Sequence, residues 1–325
     1  MAGKPTVVII SLVTDEHVVH LLPYLEKNAV VYFIKLDSLA NHKLVISDYG
    51  KNLLVDGQHI ACEELTSLWL RRNIDIPDPE KEPAKILQVR ESQALSRSLR
   101  SFPAKRKVSD QWSIKASEDK LHCLRIAQSC GWKVPDSIIT NNPEVLLAFW
   151  KKYDGKICTK TMSVPVILSK NEKAKVFYTS LLDYKDIEER AALAGTIPML
   201  FQQYIEKAYE VRSTVVGKQV YSAAIYSQKS DLTKTDWRNY DFPNVPHFPI
   251  NLPPEVEQRL LSTIKRLGLN FAACDLIVTP DNEYVFLEAN PVGQWLWIEQ
   301  LCGLPISEAL CSLLCFNSAP LIEEK

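Results

Sequence analysis

Hydrophobic and polar positions along this chain alternate between two periods, and each change of period marks an element. Residues 6–13, TVVIISLV, form a continuous apolar run, the pattern of a strand covered on both faces. A helical stretch follows at His17–Lys27, then strands at Ala29–Leu36 and Ser67–Leu70. Strand–helix–strand order predicts a small α/β unit. Within it, Asp56-Gly57 divides Asn52–Ala61 into a two-residue hairpin. Pro79–Leu99 reads as a long polar helix, and the basic, proline-interrupted Ser101–Asp110 as a solvated linker.

Ser117 is a candidate N-cap for the next helix, with acids in its first turn and a stripe at Leu121, Leu124, Ala127 and Gln128 ending at Cys130-Gly131. Val134-Pro135 leads into a short strand, an Asn141-Asn142-Pro143 turn and a helix over Glu144–Lys152. Gly155–Thr161 reads as a strand carrying Lys160, with Lys175–Thr179 as its expected partner and a short charged helix at Tyr184–Leu193. Met199–Ile205 is the next strand, and Glu210–Val216 with Gln219–Tyr226 makes a hairpin about Gly217-Lys218. Ser227–Pro254, aromatic and proline-rich, has the length of an ordered active-site loop. A striped helix from Val256 to Gly268 and a terminal helix at Ile306–Leu314 bracket the most informative stretch.

That stretch is Phe271–Asn290, FAACDLIVTPDNEYVFLEAN. Two apolar runs flank Pro280-Asp281-Asn282-Glu283, which is turn chemistry. With Thr279 opposite Tyr284, counting back places Asp275 opposite Glu288, and period two puts Asn290 on the face of Glu288. Facing carboxylates among apolar neighbours repel and are costly to bury. A divalent cation removes that conflict. Two carboxylates and an amide oxygen suit Mg²⁺, which takes few protein ligands and completes its shell with phosphates and water. The alternative is that each acid pairs with an arginine from elsewhere.

Composition narrows the class. The 325 residues are 46% hydrophobic and 24% charged, ordinary for a globular protein of two or three domains. A net charge of −1 gives no reason to expect a nucleic acid or an anionic membrane as partner. The eight cysteines form no CxxC pair and sit mostly in apolar runs, which suits reduced thiols in the cytoplasm. The first apolar run is too short to cross a membrane. Neither GxGxxG nor GxxxxGK[ST] occurs, so a nucleotide must be held without a glycine cradle.

The order of these features resembles the ATP-grasp superfamily of carboxylate–amine ligases, and within it the microviridin-type (graspetide) peptide ligases. SLWLRR (67–72), ASEDKL (116–121), VPDSIITNNP (134–143), FQQYIEKAYEVRSTVVG (201–217), DWRNYDF (236–242) and FLEANPVGQWLWIE (286–299) carry the resemblance, the last most specifically. It implies a three-domain α/β (α+β) fold holding nucleotide between two antiparallel sheets, with an N-terminal domain over residues 1–110, a central lid over 111–200 and a C-terminal metal-bearing domain over 201–325. It further implies that Lys120 and Lys160 contact ATP phosphates, that Gln203, Tyr204 and Ile205 form a hinge bonding adenine through main chain, and that Glu210 binds ribose. Asp275, Glu288 and Asn290 would hold Mg²⁺, and Arg212 and Arg238 would clamp the γ-phosphate and the acyl phosphate. The residue types suit those roles: ammonium is a point charge, whereas guanidinium contacts phosphate in a planar, bidentate way.

Each position also has a plainer reading. Lys120 would make a surface ion pair, Glu210 and Arg212 would pair with each other, Arg238 would order its loop through Asp236 or Asp241, and Trp295 and Trp297 would serve packing. The activity implied is ATP-driven crosslinking of side chains in a precursor peptide, ester or amide, with a leader segment docking at Lys175–Leu181 and Asp183–Arg190, where Asp186, Glu188 and Glu189 are acidic. A homodimer is a further expectation of the resemblance. Two other readings are a ligase adding a free amino acid to a protein or small acid, and a nucleotide-sensing protein without turnover. They share the nucleotide residues and differ only on the acceptor side.

Overall fold

The computed structural model describes residues 3–73, 83–100, 102–162, 166–167, 175–176, 178–185, 187, 197–316 and 318–322. The first apolar run becomes the strand Thr6–Ser11, central in a parallel sheet ordered Val30–Lys35, Thr6–Ser11, Leu65–Leu70, Arg106–Val108. Val7, Val8, Ile9 and Ile10 are all buried, as a strand covered on both faces requires. The Asp56-Gly57 turn forms as expected, with both residues at positive φ. Leu44–Ser47, Asn52–Val55 and Gln58–Ala61 make a three-stranded antiparallel meander around it.

Ser101–Asp110 is not a solvated linker. Arg106–Val108 is the fourth strand of the parallel sheet, and Arg106 is buried. Its guanidinium donates to the carbonyls of Leu313 (2.6 Å) and Ser318 (3.1 Å) and lies 3.8 Å over the Phe316 ring. Carbonyls at the end of the Ile306–Leu314 helix supply the acceptors that make this burial tolerable. The following helix also begins differently. Asp110 caps a short helix, Gln111–Ser117, and Asp119 rather than Ser117 caps Lys120–Ser129 by accepting from the His122 amide. Cys123, Leu124 and Ala127 face inward, while Leu121 is exposed.

The central sheet is antiparallel and ordered Ser180–Leu181, Ile157–Lys160, Met199–Gln203, Ser137–Thr140. Ile157–Lys160 therefore pairs with Ser180–Leu181 and Met199–Gln203 rather than with Lys175–Thr179, and Lys175–Val176 pairs with Val166–Ile167 instead. Met199–Gln203 ends two residues earlier than the apolar pattern suggests and crosses the boundary expected at residue 200. Asp186, Glu188 and Glu189 lie outside the described residues.

The third sheet, also antiparallel, runs His247–Ile250, Gln219–Ile225, Tyr209–Val216, Phe271–Val278, Tyr284–Asn290. The long aromatic segment thus contributes an edge strand as well as a loop. Two hydrophobic clusters join the parallel sheet to this one, mixing Val8 and Leu68 with Leu260 and Phe286, and Val7 and Trp69 with Phe271 and Leu310. The central sheet has its own small core around Leu146, Phe149, Ile157 and Phe201. A mixed α/β body carrying an independently packed antiparallel sheet is the result. Among the described residues, no helix is long and apolar enough to cross a membrane.

Candidate active site

A cleft of about 730 Å³ lies where the central sheet faces the five-stranded sheet. Period-two alternation decides what enters it. On Ile157–Lys160, Ile157 turns into the central core, while Cys158 and Lys160 line the cleft. On Tyr209–Val216, Glu210 and Arg212 share a face, about 7 Å apart along the strand; Glu210 lines the cleft, while Arg212 meets it through Asp275.

The Phe271–Asn290 hairpin reaches its predicted pairing by a different route. Val278, not Thr279, opposes Tyr284, so the register starts one residue away from expectation. A bulge between the Leu276–Phe286 and Asp275–Glu288 pairs, with Leu287 as the extra residue, restores the offset. Asp275 then faces Glu288, and Arg212 pairs with Asp275 from the other side. Arg212, Asp275 and Glu288 therefore form one row across three strands.

That row is charged; Arg212 and Asp275 are buried and Glu288 is half-buried. Arg212 Nη1 donates to Asp275 Oδ1 at 2.9 Å, and Nη2 donates to the Gln294 carbonyl at 3.0 Å. Lys120, the first residue of its helix, donates to Glu288 Oε2 at 3.2 Å. So Lys120 makes an ion pair within the cleft, not on the surface, and Arg212 pairs with Asp275, not with Glu210. Burial raises the Asp275 pKa, and repulsion from Glu288 adds to the rise despite Arg212. Burial would also raise Glu288, but Lys120, Lys160 and Arg238 outweigh it and hold that carboxyl well below the usual range. Lys160 itself is pushed down by desolvation, against the pull of Glu288. One acid is over-compensated and its partner under-compensated. Asn290, opposite Ala273, accepts from the Val292 amide through Oδ1 at 3.0 Å.

The other expected positions are also at the cleft. Gln203, Tyr204 and Ile205 line one wall, but the Gln203 and Tyr204 amides already donate to the Asp136 and Lys156 carbonyls, at 2.8 and 2.9 Å. Glu210 is buried, with Oε1 paired to Lys207, while Oε2 has no hydrogen-bond partner. Burial raises its pKa, opposed by Lys207. Arg238 does pair with Asp236, by Nε at 2.8 Å and Nη2 at 2.5 Å. Asp236 also accepts from the Thr179 amide at 2.9 Å, which ties this loop to the central sheet. Arg238 still lines the cleft, where Glu288 and Asp275 help hold its charge.

Lys207 was given no role from the sequence, and Gly293 only a place within its motif. Lys207 is buried three residues before Glu210 and also donates to the Thr235 carbonyl at 3.0 Å. The signal available was a lysine beside an acid at the entrance to an apolar strand. Gly293 has no room for a side chain: a Cβ there would sit 2.4 Å from Ala273 Cβ and 3.1 Å from Arg212 Nη2. The glycine of the Gly-Gln-Trp tail is thus demanded by close approach to Ala273, with Arg212 crowding the same point. Trp295 is wholly buried and donates through Nε1 to Ser307 at 3.2 Å, a packing role. Trp297 stacks on Trp237 at 4.9 Å, and Arg212 lies 5.9 Å from the Trp237 ring centroid.

The residues fit a magnesium nucleotide on three observations: the unpaired buried Oε2 of Glu210, an unpaired buried Nε on Arg212, and a buried Asp275 whose charge is under-compensated. Polar atoms left so in a protein interior mark a place for a polar ligand.

Residues 117–314 match the model of the RimK-like ATP-grasp domain, and the chain belongs to that family. It is an ATP-dependent carboxylate ligase, the class that fold and cleft define. Among solved structures, macrocyclase MdnC from Microcystis aeruginosa, bound with precursor peptide MdnA, is 28% identical, with a TM-score of 0.82 over 96% of this chain and 100% of that one. A RiPP-associated ATP-grasp ligase from Chryseobacterium gregarium, in complex with ADP and a leader and core peptide, is 27% identical, with a TM-score of 0.85 over 99% and 100%. Human N-acetylaspartylglutamate synthase A is 26% identical over 114 residues, which are 34% of this chain and 28% of that protein.

Proposed function

We propose that this ligase crosslinks side chains of a ribosomally made precursor peptide, using Mg·ATP to activate an Asp or Glu carboxylate that a Ser, Thr or Lys of the same peptide then attacks. The observation that carries the reading is the Arg212–Asp275–Glu288 row, flanked by Lys120 and Lys160, beside the two peptide-bound relatives that align over nearly the whole chain.

Magnesium, held by Asp275, Glu288 and Asn290, would offset phosphate charge and fix the phosphate oxygens. Lys120 would exchange Glu288 for phosphate, and Lys160, close to Glu288, would do the same from the lid. Glu210 Oε2 would accept from the ribose hydroxyls while Lys207 holds the other oxygen. The Ile205 amide is the hinge donor left for adenine, since those of Gln203 and Tyr204 are engaged. Arg212 and Arg238 would orient the acceptor carboxylate against the γ-phosphorus, so that a carboxylate oxygen forms the new P–O bond as ADP leaves. The nucleophile then attacks the acyl carbon, the bond from that carbon to the phosphate oxygen breaks, and the departing phosphate takes the nucleophile's proton. Positioning and charge neutralisation are most of what phosphoryl transfer requires of a protein. We assign N-terminal, lid and metal-bearing domains, with the lid reaching past residue 200 to include the Met199–Gln203 strand of the central sheet, and place the protein in the cytoplasm on its free thiols.

A carboxylate labelled with heavy oxygen tests the chemistry: the acyl-phosphate route moves one labelled oxygen into the released phosphate, and unlabelled phosphate would rule that route out. The partial match to N-acetylaspartylglutamate synthase A favours the second reading, addition of a free amino acid to a small acid. Ligation of a free amino acid, with precursor peptide left untouched, would establish it.

A further inference from the structure

Side chains of the N-terminal domain converge on the turn that follows Asn290, and the proposed chemistry gives that domain no part. Arg71, at the end of the Leu65–Leu70 strand, is buried, and its Nη1 donates to the Val292 carbonyl. Its guanidinium lies 5.1 Å from the Trp295 ring centroid. His17, in the first turn of the Glu16–Asn28 helix, accepts from the Trp295 amide through Nε2 at 3.3 Å, and its ring lies 4.4 Å from that of Trp295. Asp15 caps the same helix and is 3.3 Å from His17 Nδ1 and 3.6 Å from Arg71 Nε. The His17 contact is to Oδ1, and Ser11 donates at 2.7 Å to Oδ2, the oxygen nearest Arg71.

The roles are mutually consistent. An acceptor Nε2 requires the proton on Nδ1, where Asp15 receives it. Burial keeps His17 neutral, and the Asp15 carboxyl, which burial alone would raise, is lowered to about 2 by His17, Arg71, Ser11 and Arg72. From the opposite side, Arg212 holds the Gln294 carbonyl of the same turn at 3.0 Å. The turn is therefore gripped at Val292 by Arg71, at Gln294 by Arg212 and at Trp295 by His17.

We propose that Asp15, His17 and Arg71 form a clamp that sets the position of the Val292–Trp295 turn and, through the Gln294 carbonyl, the placement of Arg212. They are positioning residues, and the proposal rests on Arg212 engaging the transferring phosphoryl group. It gives the N-terminal domain a specific part in the reaction: a displaced turn moves Arg212 while leaving the hinge, Glu210 and Lys120 in place.

The test compares Mg·ADP with a non-hydrolysable Mg·ATP analogue, by calorimetry on folded full-length protein, together with hydrogen exchange at the Trp295 amide. His17→Phe keeps the ring against Trp295 and removes the acceptor, whereas His17→Gln supplies an amide oxygen in its place. Arg71→Met removes the donor and keeps much of the stem. Leaving one side of a buried hydrogen bond without its partner corresponds to a loss of about fivefold or more, so His17→Phe and Arg71→Met should weaken the triphosphate analogue about tenfold, with a clearly smaller loss for ADP, which this turn touches only through Asn290. Trp295 exchange should quicken at least about tenfold in the same variants, and His17→Gln should recover part of both effects. Equal weakening of both nucleotides in folded protein, or no change in either, overturns the clamp. Wild-type protein that bound neither nucleotide would sink the functional reading instead. The clamp would then be decided by exchange alone, and Trp295 protection unaltered by His17→Phe would overturn it. Should Arg71→Met fail to fold, His17→Phe carries the test.

Discussion

Removing the guanidinium of Arg212 should expose the conflict that the Asp275–Glu288 hairpin contains. Arg212 and Asp275 are both buried, and their 2.9 Å hydrogen bond is the main relief Asp275 has from Glu288, its direct neighbour. Arg212→Met keeps the bulk and leaves Asp275 charged and facing another carboxylate. Breaking a buried ion pair from one side costs about 3–5 kcal/mol; taking about 3, because Lys120 and Arg238 remain nearby, the melting temperature should fall by roughly 6–12 °C at about 2–4 °C per kcal/mol. Because burial and Glu288 raise the folded-state pKa of Asp275, its contribution is most favourable at low pH and is lost as pH rises through that pKa. The deficit of Arg212→Met should therefore be larger at pH 8 than at pH 5. Two additions should restore stability: a second change, Asp275→Asn, and millimolar Mg²⁺, which binds the folded state alone. Thermal scans of the three proteins across pH, with and without Mg²⁺, make the measurement. A melting temperature unaltered by Arg212→Met, or a deficit insensitive to both Asp275→Asn and Mg²⁺, would refute the view that Asp275 is under-compensated.

Other consequences are more direct. Glu210→Gln should weaken Mg·ATP about 10–100-fold by calorimetry, the loss expected for hydrogen bonds to a charged acceptor, and unchanged affinity would remove the ribose role. Gly293→Ala should sharply reduce ligation while leaving ADP affinity near wild type, since its Cβ would strike Ala273 and crowd Arg212; wild-type turnover would show that the turn has slack. Lys120→Met should lower triphosphate affinity and raise the Glu288 pKa, seen as a new upward-shifted carboxyl in NMR titration, with no new titration contradicting the ion pair. Arg106→Met should destabilise without altering nucleotide affinity, because its donors serve the Leu313 and Ser318 carbonyls far from the cleft.

Much of the fold was legible because alternation and capping are local. The Asp56-Gly57 hairpin and the helix at Ile306–Leu314 form where the pattern places them. Asp275 opposite Glu288 was also reached, yet only because a one-residue error at the turn is cancelled by the Leu287 bulge, which no local pattern announces. The misses share a physical cause: they are settled by distant partners. Arg106 looks solvated until the Leu313 and Ser318 carbonyls arrive from the far end of the chain, and Asp119 supplants Ser117 because Asp110 caps a separate short helix just ahead. The positions expected from the family pattern gather around one cleft, and the partners that hold them, Lys207, Asp236 and Gly293, lie within the same motifs, but what each does is decided by packing.

Mass spectrometry of a precursor peptide encoded beside this chain, incubated with the protein, Mg²⁺ and ATP, addresses the central claim most directly. The account predicts loss of one water per crosslink, with stoichiometric ADP and phosphate and no AMP. A mass gain equal to an added amino acid, or ATP bound without any product, would contradict it.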